Sequence, residues 1–154
     1  MTGKDFLISV PRSFLILNSK LEQFACLQDT VKKINAVIDG TPSVSNKDFS
    51  RIESAVTAAL NYSTSVADAV GEFILLHKSA MREINKIQSF DEKLILEYRY
   101  LAFKSWAEIA DLMHVSLRYI YKLHGHALES FEKIFSAGDK KAQKDTNDTL
   151  TDTL

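Results

Sequence analysis

Two long stretches of this sequence place apolar residues three or four positions apart, and that spacing constrains the fold more than any other feature. From about residue 12 to residue 38 the steps average close to the period of an α-helix. From about residue 47 to residue 87 steps of four and three alternate, as in a coiled coil. The chain has only 5 Gly and 2 Pro, too few for a β-protein with many tight turns. The sequence therefore predicts an all-α fold.

A short polar connector at residues 40–46 separates the two stretches, and Ser45 or Asn46 is suited to cap the second helix. A connector this short favours an antiparallel helical hairpin, in which each apolar stripe covers the other. The same stripes are also compatible with pairing between two chains, which would give a homodimer through the N-terminal helices. Pro11 suits the first turn of the first long helix, with residues 6–10 as a preceding turn kinked at the proline.

The third segment, residues 88–136, reads as a series of shorter helices. Ser89 and Ser105 each stand three positions before a glutamate, which is the spacing of a capping box at a helix start. Ser116 is suited to begin a further helix that runs to about Phe135.

The sequence thus predicts three parts. Residues 1–87 form a coiled-coil-like hairpin that serves oligomerisation or partner binding. Residues 88–136 form a helical C-terminal domain. Residues 137–154 are rich in Asp, Lys and Thr without periodicity, and this composition predicts a disordered tail.

Residues 105–128 carry the functional signal. Their pattern of a short helix, a tight turn and a longer helix is that of a helix-turn-helix. The buried stripe of the second helix is predicted to consist of Ile120, Leu123, Ala127 and Leu128, and no acidic residue occurs over residues 112–128. A recognition helix that enters the major groove needs such a face, because carboxylates there would repel phosphates.

Particular side chains of this motif are predicted to contact DNA. Arg118 or Lys122 would donate to guanine O6 and N7. Tyr119 and Tyr121 would contact a phosphate or a thymine methyl group, and residues at the start of the first motif helix would hold a phosphate. The full predicted set is Lys104, Ser105, Ser116, Leu117, Arg118, Tyr119, Tyr121, Lys122 and His126.

Residues 94–128 resemble region four of bacterial sigma factors, the part that reads a promoter element. The resemblance rests on Ser105, on Glu108-Ile109-Ala110, on Val115-Ser116 at the turn and on Ala127-Leu128. The chain is also similar to small phage and prophage sigma-factor-like regulators, through Arg99-Tyr100-Leu101, Lys104-Ser105-Trp106 and residues 121–128. This resemblance implies regulation of phage or mobile-element genes in the cytoplasm of a bacterial host.

The sequence departs from that family at several positions. His114 stands where the turn often has glycine, so a left-handed conformation must be borne by a residue with a side chain or be avoided. Leu117, Tyr119 and Tyr121 occupy recognition positions that are commonly basic, which implies a different target sequence. Pro11 interrupts what the family would make continuous helix.

An alternative function is a helical interaction module that binds host RNA polymerase or another regulator without reading DNA. The net charge of -1 gives no overall attraction to nucleic acid. An enzyme is not expected, because no Gly-rich phosphate loop, nucleophile motif or metal-spaced cluster occurs, and no cofactor is predicted. No membrane span is expected either. Cys26, among apolar neighbours, is expected to be a small buried hydrophobe.

Overall fold

The computed structural model describes residues 1–40 and 45–148 of the chain. Within these ranges the structure is helical without a strand, so the all-α prediction is confirmed. The elements are α1 (Gly3–Asp39), α2 (Asn46–Ile84), α3 (Phe90–Leu96), a π-helix (Glu97–Leu101), α4 (Trp106–Met113) and α5 (Leu117–Asp148). Most of the predicted connector lies outside the described residues, as do residues 149–154 of the predicted tail.

Helix α1 begins at Gly3 and continues through Pro11, so the proline lies inside the helix and not in its first turn as the sequence suggested. Proline has no amide hydrogen, so the carbonyl of Leu7 lacks its usual donor four residues on. Burial offsets this loss, because Phe6, Leu7 and Val10 on the same turns are all packed in the core. Tertiary packing therefore keeps this turn helical against the local preference of proline.

The described chain forms two compact units. The first, here called the C-terminal unit, combines residues 1–12 with the chain from residue 75 onward. The second, here called the hairpin unit, is residues 13–74. This division differs from the boundary predicted at residue 87, because both ends of the predicted hairpin supply core residues to the C-terminal unit.

The core of the C-terminal unit draws on every one of its helices. Its fully buried side chains include Leu7, Ile84, Ile95, Ile109, Ile120 and Phe131. The first turns of α1 pack on α5, where the Phe6 ring stacks on Phe131 and Phe135 at centroid distances of 6.4 and 5.1 Å. This packing fixes α5 along one side and leaves its opposite side to solvent.

The hairpin unit is an antiparallel pair of helix segments. Phe14 lies beside Phe73 with ring centroids 5.6 Å apart, and the Lys20 ammonium donates to Ser65 Oγ at 2.7 Å. Successive contacts along α1 thus meet earlier positions of α2, as the short connector predicts. Cys26 in α1 is exposed, so the expectation of a buried thiol was wrong.

Helix α5 extends beyond the end predicted near Phe135. It remains helical to Asp148, so the part of the tail between 137 and 148 is helix in the structure. The run of Asp, Lys and Ala after residue 138 contains good helix formers and no proline. A helix already nucleated by a packed stripe extends readily through such residues.

Candidate nucleic-acid interface

Helix α4 starts at a complete capping box. The Ser105 hydroxyl oxygen accepts a hydrogen bond from the Glu108 amide at 3.3 Å, and the Ser105 amide donates to Glu108 Oε2 at 2.7 Å. The bonds to Ser105, that to its backbone foremost, hold the pKa of Glu108 below its usual range. The Lys104 ammonium lies 3.8 Å from Glu108 Oε1. Lys104 and Ser105 therefore already engage a carboxylate, with which a phosphate would have to compete.

The turn between α4 and α5 is closed by a left-handed residue that is not glycine. His114 has φ 56° and ψ 40°. Its amide donates to Asp111 O at 3.2 Å, while the Val115 amide donates to Ala110 O at 3.1 Å. These two bonds are those of the Schellman motif, whose left-handed position is usually glycine. Of the two possibilities that the sequence left for His114, the structure thus adopts the left-handed one.

Helix α5 begins with a serine cap and a basic first turn. Ser116 Oγ accepts a hydrogen bond from the Tyr119 amide at 3.2 Å. The amides of Leu117 and Arg118 precede the first intrahelical donor and point out of the helix end. The first turn of α5 has no acidic residue, so the positive end of the helix dipole is not neutralised by its own side chains.

One side of α5 is an exposed basic surface. Arg118 and Lys122 are exposed and lie one turn apart, with Gly125 continuing the same line. We call these three residues the α5 ridge. The buried side chains Ile120, Leu123, Ala127 and Phe131 lie on the opposite side of the helix. The spacing along the helix therefore directs Arg118 and Lys122 away from the core.

The remaining predicted contact residues flank the α5 ridge. Leu117, Tyr119 and Tyr121 are 42%, 45% and 52% exposed, and Ser116 and His126 are exposed as well. Tyr121 also packs edge-on against Trp106, at a centroid distance of 5.6 Å. The structure thus brings the predicted residues of α5 to one continuous exposed surface, with Lys104 and Ser105 at the start of α4.

A cluster of aromatic and basic side chains joins α5 to α4 and the π-helix. The Arg99 guanidinium lies 4.4 Å from the centroid of the Trp106 ring, and its Nη1 donates to Lys104 O at 2.9 Å. The His124 and Trp106 rings form a T-shaped pair with centroids 4.7 Å apart. His124 Nε2 and the Tyr100 hydroxyl are 3.0 Å apart, within hydrogen-bonding distance. We call Arg99, Tyr100, Trp106 and His124 the anchor cluster.

The anchor cluster fixes the rotation of α5 about its own axis within the C-terminal unit. His124 follows Arg118 and Lys122 on α5 within two turns, so contacts of its ring limit rotation of the helix about its axis. The sequence did not indicate a functional role for Arg99, Tyr100 or His124. A basic residue close in sequence to a tryptophan, as Arg99 is to Trp106, could have indicated the cation–π contact. The partner on α5, His124, is too far away in sequence to be indicated by a local pattern.

Burial changes the acid–base behaviour of two members of the anchor cluster. Loss of solvent, with smaller effects of the charges on Arg99 and Lys4, lowers the pKa of His124 to about 4. Burial likewise raises the pKa of the Tyr100 phenol. At neutral pH both groups are therefore uncharged, and a neutral imidazole nitrogen is free to accept the phenol hydrogen.

The N-terminus of α1 contacts α5 well beyond the ridge. The Gly3 amide donates to Glu132 Oε2 at 2.6 Å, and the Gly3 Cα packs so closely that an added Cβ would lie 2.8 Å from that oxygen. Glu132 follows Arg118 by nearly four helical turns. The packing of α1 on α5 in the C-terminal unit therefore leaves the ridge open to solvent.

The described part of the chain offers neither a metal centre nor a membrane span. Among residues 1–40 and 45–148, no three His, Cys, Asp or Glu side chains lie close enough together to hold a metal ion. None of the helices in these ranges combines the length and the apolar character that crossing a bilayer requires.

Comparison of the chain with protein-family models, with curated proteins and with solved structures gives no match.

Proposed function

We propose that this protein is a DNA-binding transcription regulator in which α4 and α5 act as a helix-turn-helix, with residues 116–128 as recognition helix in the major groove. The observation that carries the proposal is the exposure of Arg118 and Lys122 opposite the buried stripe of α5. No carboxylate occurs between residues 112 and 128 to compete with phosphate. The C-terminal unit supplies the rigid support, and the α5 ridge supplies the contact.

The position of Arg118 supports a binding role because it opposes helix stability. A cation in the first turn of a helix faces the positive end of the dipole and costs about 0.3–1 kcal/mol. An acidic residue there would stabilise the helix instead. Together with the outward amides of Leu117 and Arg118, the basic side chain makes the end of α5 strongly attractive to an anion such as a DNA phosphate.

The dimensions of the ridge suit the major groove. Residues four apart on a helix are separated by about 6 Å along its axis. Successive bases on one strand are about 3.4 Å apart. Arg118 and Lys122 would therefore reach positions about two base steps apart, where each can donate to guanine. The rings of Tyr119 and Tyr121 on the flanks would contact thymine methyl groups or phosphates.

The resemblance of residues 94–128 to region four of sigma factors supports the same function. By this resemblance the protein would regulate phage or mobile-element genes in the cytoplasm of a bacterial host. Because Leu117, Tyr119 and Tyr121 replace residues that are commonly basic in sigma factors, the target sequence would differ from theirs. Their uncharged side chains also reduce the number of phosphates that the helix neutralises.

Two substitutions test the proposal on fragments selected from bacterial and phage genomic DNA by the full-length protein. Arg118→Ala should weaken binding about 5- to 150-fold through loss of a base contact, and Lys122→Ala should weaken it too. If Lys122 contacts a phosphate, the slope of log affinity against log salt should also fall by about 1. Helical content by circular dichroism should be unchanged in both variants.

Lys133→Ala is the matched control. Lys133 is exposed on α5 about 16 Å further along the axis than Lys122, so its loss should leave affinity within about twofold if binding is localised at the start of α5. Equal affinities for the parent protein, Arg118→Ala and Lys122→Ala would remove the proposed mechanism.

A second candidate function is a protein-interaction module that binds RNA polymerase or another regulator. The exposed Tyr119 and Tyr121, with Arg118 between the helix start and Tyr119, favour it, because tyrosine and arginine are enriched among the residues that dominate protein interfaces. Ionic strength separates the two functions. Binding driven by phosphate contacts falls steeply with added salt, whereas binding through an apolar helix surface does not.

A further inference from the structure

The hairpin unit has very little interior of its own. Among its side chains whose burial is described, Leu17 alone is buried. Two antiparallel helices offer each other one stripe apiece, and the flanks of both stripes stay in solvent. Large apolar side chains are left exposed as a result, including Leu21, Val56, Leu60 and Ile74. Stable bundles cover such flanks with further helices.

One edge of the hairpin unit carries these apolar flanks together. A groove of about 450 Å³ opens there between the helices, lined mainly by uncharged side chains such as Phe24, Val56 and Leu60, with Lys32 at its loop end. Leu60, Ala67 and Ile74 follow each other at intervals of seven residues, so they continue along the same edge of α2. We call this edge the hairpin face. Six exposed, uncharged residues lie on this face: Leu21, Ala25, Leu60, Thr64, Ala67 and Ile74.

The opposite edge of the hairpin unit also exposes Leu15 and Ile16, but it differs in carrying polar contacts between the two helices. There the Tyr62 hydroxyl donates to Gln23 Oε1, and the Lys20 ammonium donates to Ser65 Oγ at 2.7 Å. Polar groups that bond across the two helices satisfy each other and limit what can pack on that edge. The hairpin face has small residues such as Ala25 and Ala67 instead, which allow another helix to approach closely.

The area of the hairpin face matches a dimer interface. The 27 residues of α1 in this unit, 13–39, span about 40 Å at 1.5 Å per residue. Two adjacent helices are about 20 Å across. A face of about 40 by 20 Å presents roughly 800 Å², the amount that each partner contributes to a stable protein–protein interface.

Charges at the loop end of the hairpin unit are arranged to complement a second copy. Lys32 lies seven residues before the end of α1 and Glu53 seven residues after the start of α2, so both sit at the same level. Both are exposed. If two hairpin faces meet about a two-fold axis parallel to the helices, α1 of one copy lies against α2 of the other. Each Lys32 then faces the Glu53 of its partner.

From the area of the hairpin face and the complementary charges at its loop end, we infer that a second copy of the chain covers the hairpin face and forms an antiparallel four-helix bundle with it. Every neighbouring pair of helices in such a bundle is antiparallel, as in up-down-up-down bundles. The contact is isologous, so each side chain of the face is used twice. The inference does not depend on DNA binding, which resides in the other unit.

Sedimentation equilibrium of the full-length protein tests the inference. We expect a dimer at micromolar concentrations. Leu60→Glu places two carboxylates in the proposed apolar interface and should weaken dimerisation at least about a hundredfold. Leu15→Glu is the matched control, because Leu15 and Leu60 are 66% and 65% exposed but Leu15 lines the opposite edge. It should leave the dimer intact, and both variants should keep their helical content.

Exchanging the charges of Lys32 and Glu53 tests whether these residues of the two copies face each other. Lys32→Glu or Glu53→Lys alone should weaken dimerisation about fivefold, and the double variant should restore it. A full-length protein that stays monomeric at about 100 µM would overturn the inference and assign the face to a different partner. Equal effects of Leu60→Glu and Leu15→Glu would overturn it too. A double variant that dimerises no more strongly than either single variant would refute the proposed contact between Lys32 and Glu53.

Discussion

His124 should make the stability of this protein depend on pH in a defined window. In the unfolded chain its imidazole takes up a proton near its ordinary pKa of 6.5, whereas in the folded protein burial lowers that pKa to about 4. Between these values the unfolded state binds more protons, so acid favours unfolding. The stability due to a neutral His124 is fully present above pH 6.5 and is lost as pH falls to about 4.

The size of this effect follows from the pKa difference. At about 1.36 kcal/mol for each pH unit, full burial would give about 3.4 kcal/mol. The His124 ring is only half-buried, so solvent screens part of the interaction, and we expect about 2 kcal/mol. The cations near the ring, Arg99 and Lys4, act in the same direction as desolvation. The Tyr100 hydroxyl lies within hydrogen-bonding distance of His124 Nε2, and it favours the neutral imidazole when it donates to that nitrogen.

His124→Gln removes the titration and keeps an acceptor for the Tyr100 hydroxyl. Urea unfolding of both proteins should be measured from pH 7.5 to pH 4. The free energy of unfolding of the parent protein should fall more steeply, so that the two proteins differ by about 2 kcal/mol less at pH 4 than at pH 7. Carboxylates titrate alike in both and cancel in the comparison. Parallel curves for the two proteins would refute the argument.

Three further substitutions test local features of the fold by chemical denaturation. His114→Gly should stabilise the protein by about 1 kcal/mol, because glycine adopts the left-handed position of the Schellman motif without a Cβ clash; a loss of stability would contradict this account of the turn. Gly3→Ala should destabilise by about 1–2 kcal/mol, since its Cβ would meet Glu132 Oε2 and the buried Phe131 ring at 2.8 and 3.0 Å. Gly125→Ala is its control, with no atom within 4 Å of the added Cβ, and should stabilise α5 by about 0.5–1 kcal/mol. Ser105→Ala should cost about 1 kcal/mol through loss of the cap, and no change would mean that the box does not form in solution.

Much of the fold could be predicted from local patterns in the sequence. The apolar spacing indicated the long helices, and Ser105 with Glu108 marked the start of α4. The same reasoning failed where tertiary packing decides. Nothing local to Pro11 shows that Phe6 will stack on Phe131, and this contact joins the first turns of α1 to the C-terminal unit.

The candidate site was predictable to a similar extent. Exposure of Arg118 and Lys122 follows from their spacing relative to Ile120 and Leu123, since helical periodicity alone assigns the faces of α5. The anchor cluster was not predictable, because Arg99 and His124 are brought together only by packing of the π-helix, α4 and α5. The engagement of Lys104 with Glu108 also depends on side-chain geometry that spacing does not specify.

The π-helix at Glu97–Leu101 has a consequence for how the chain tolerates changes in length. Arg99 and Tyr100 are consecutive residues, yet both make contacts within the anchor cluster. Arg99 contacts Trp106, and Tyr100 contacts His124. A π turn holds one residue more than the α-helical turn it replaces. Deleting a residue here would let an ordinary helix form, but it would rotate one of these two side chains about 100° out of register. This stretch should therefore resist both insertion and deletion, although it contains no loop and no glycine.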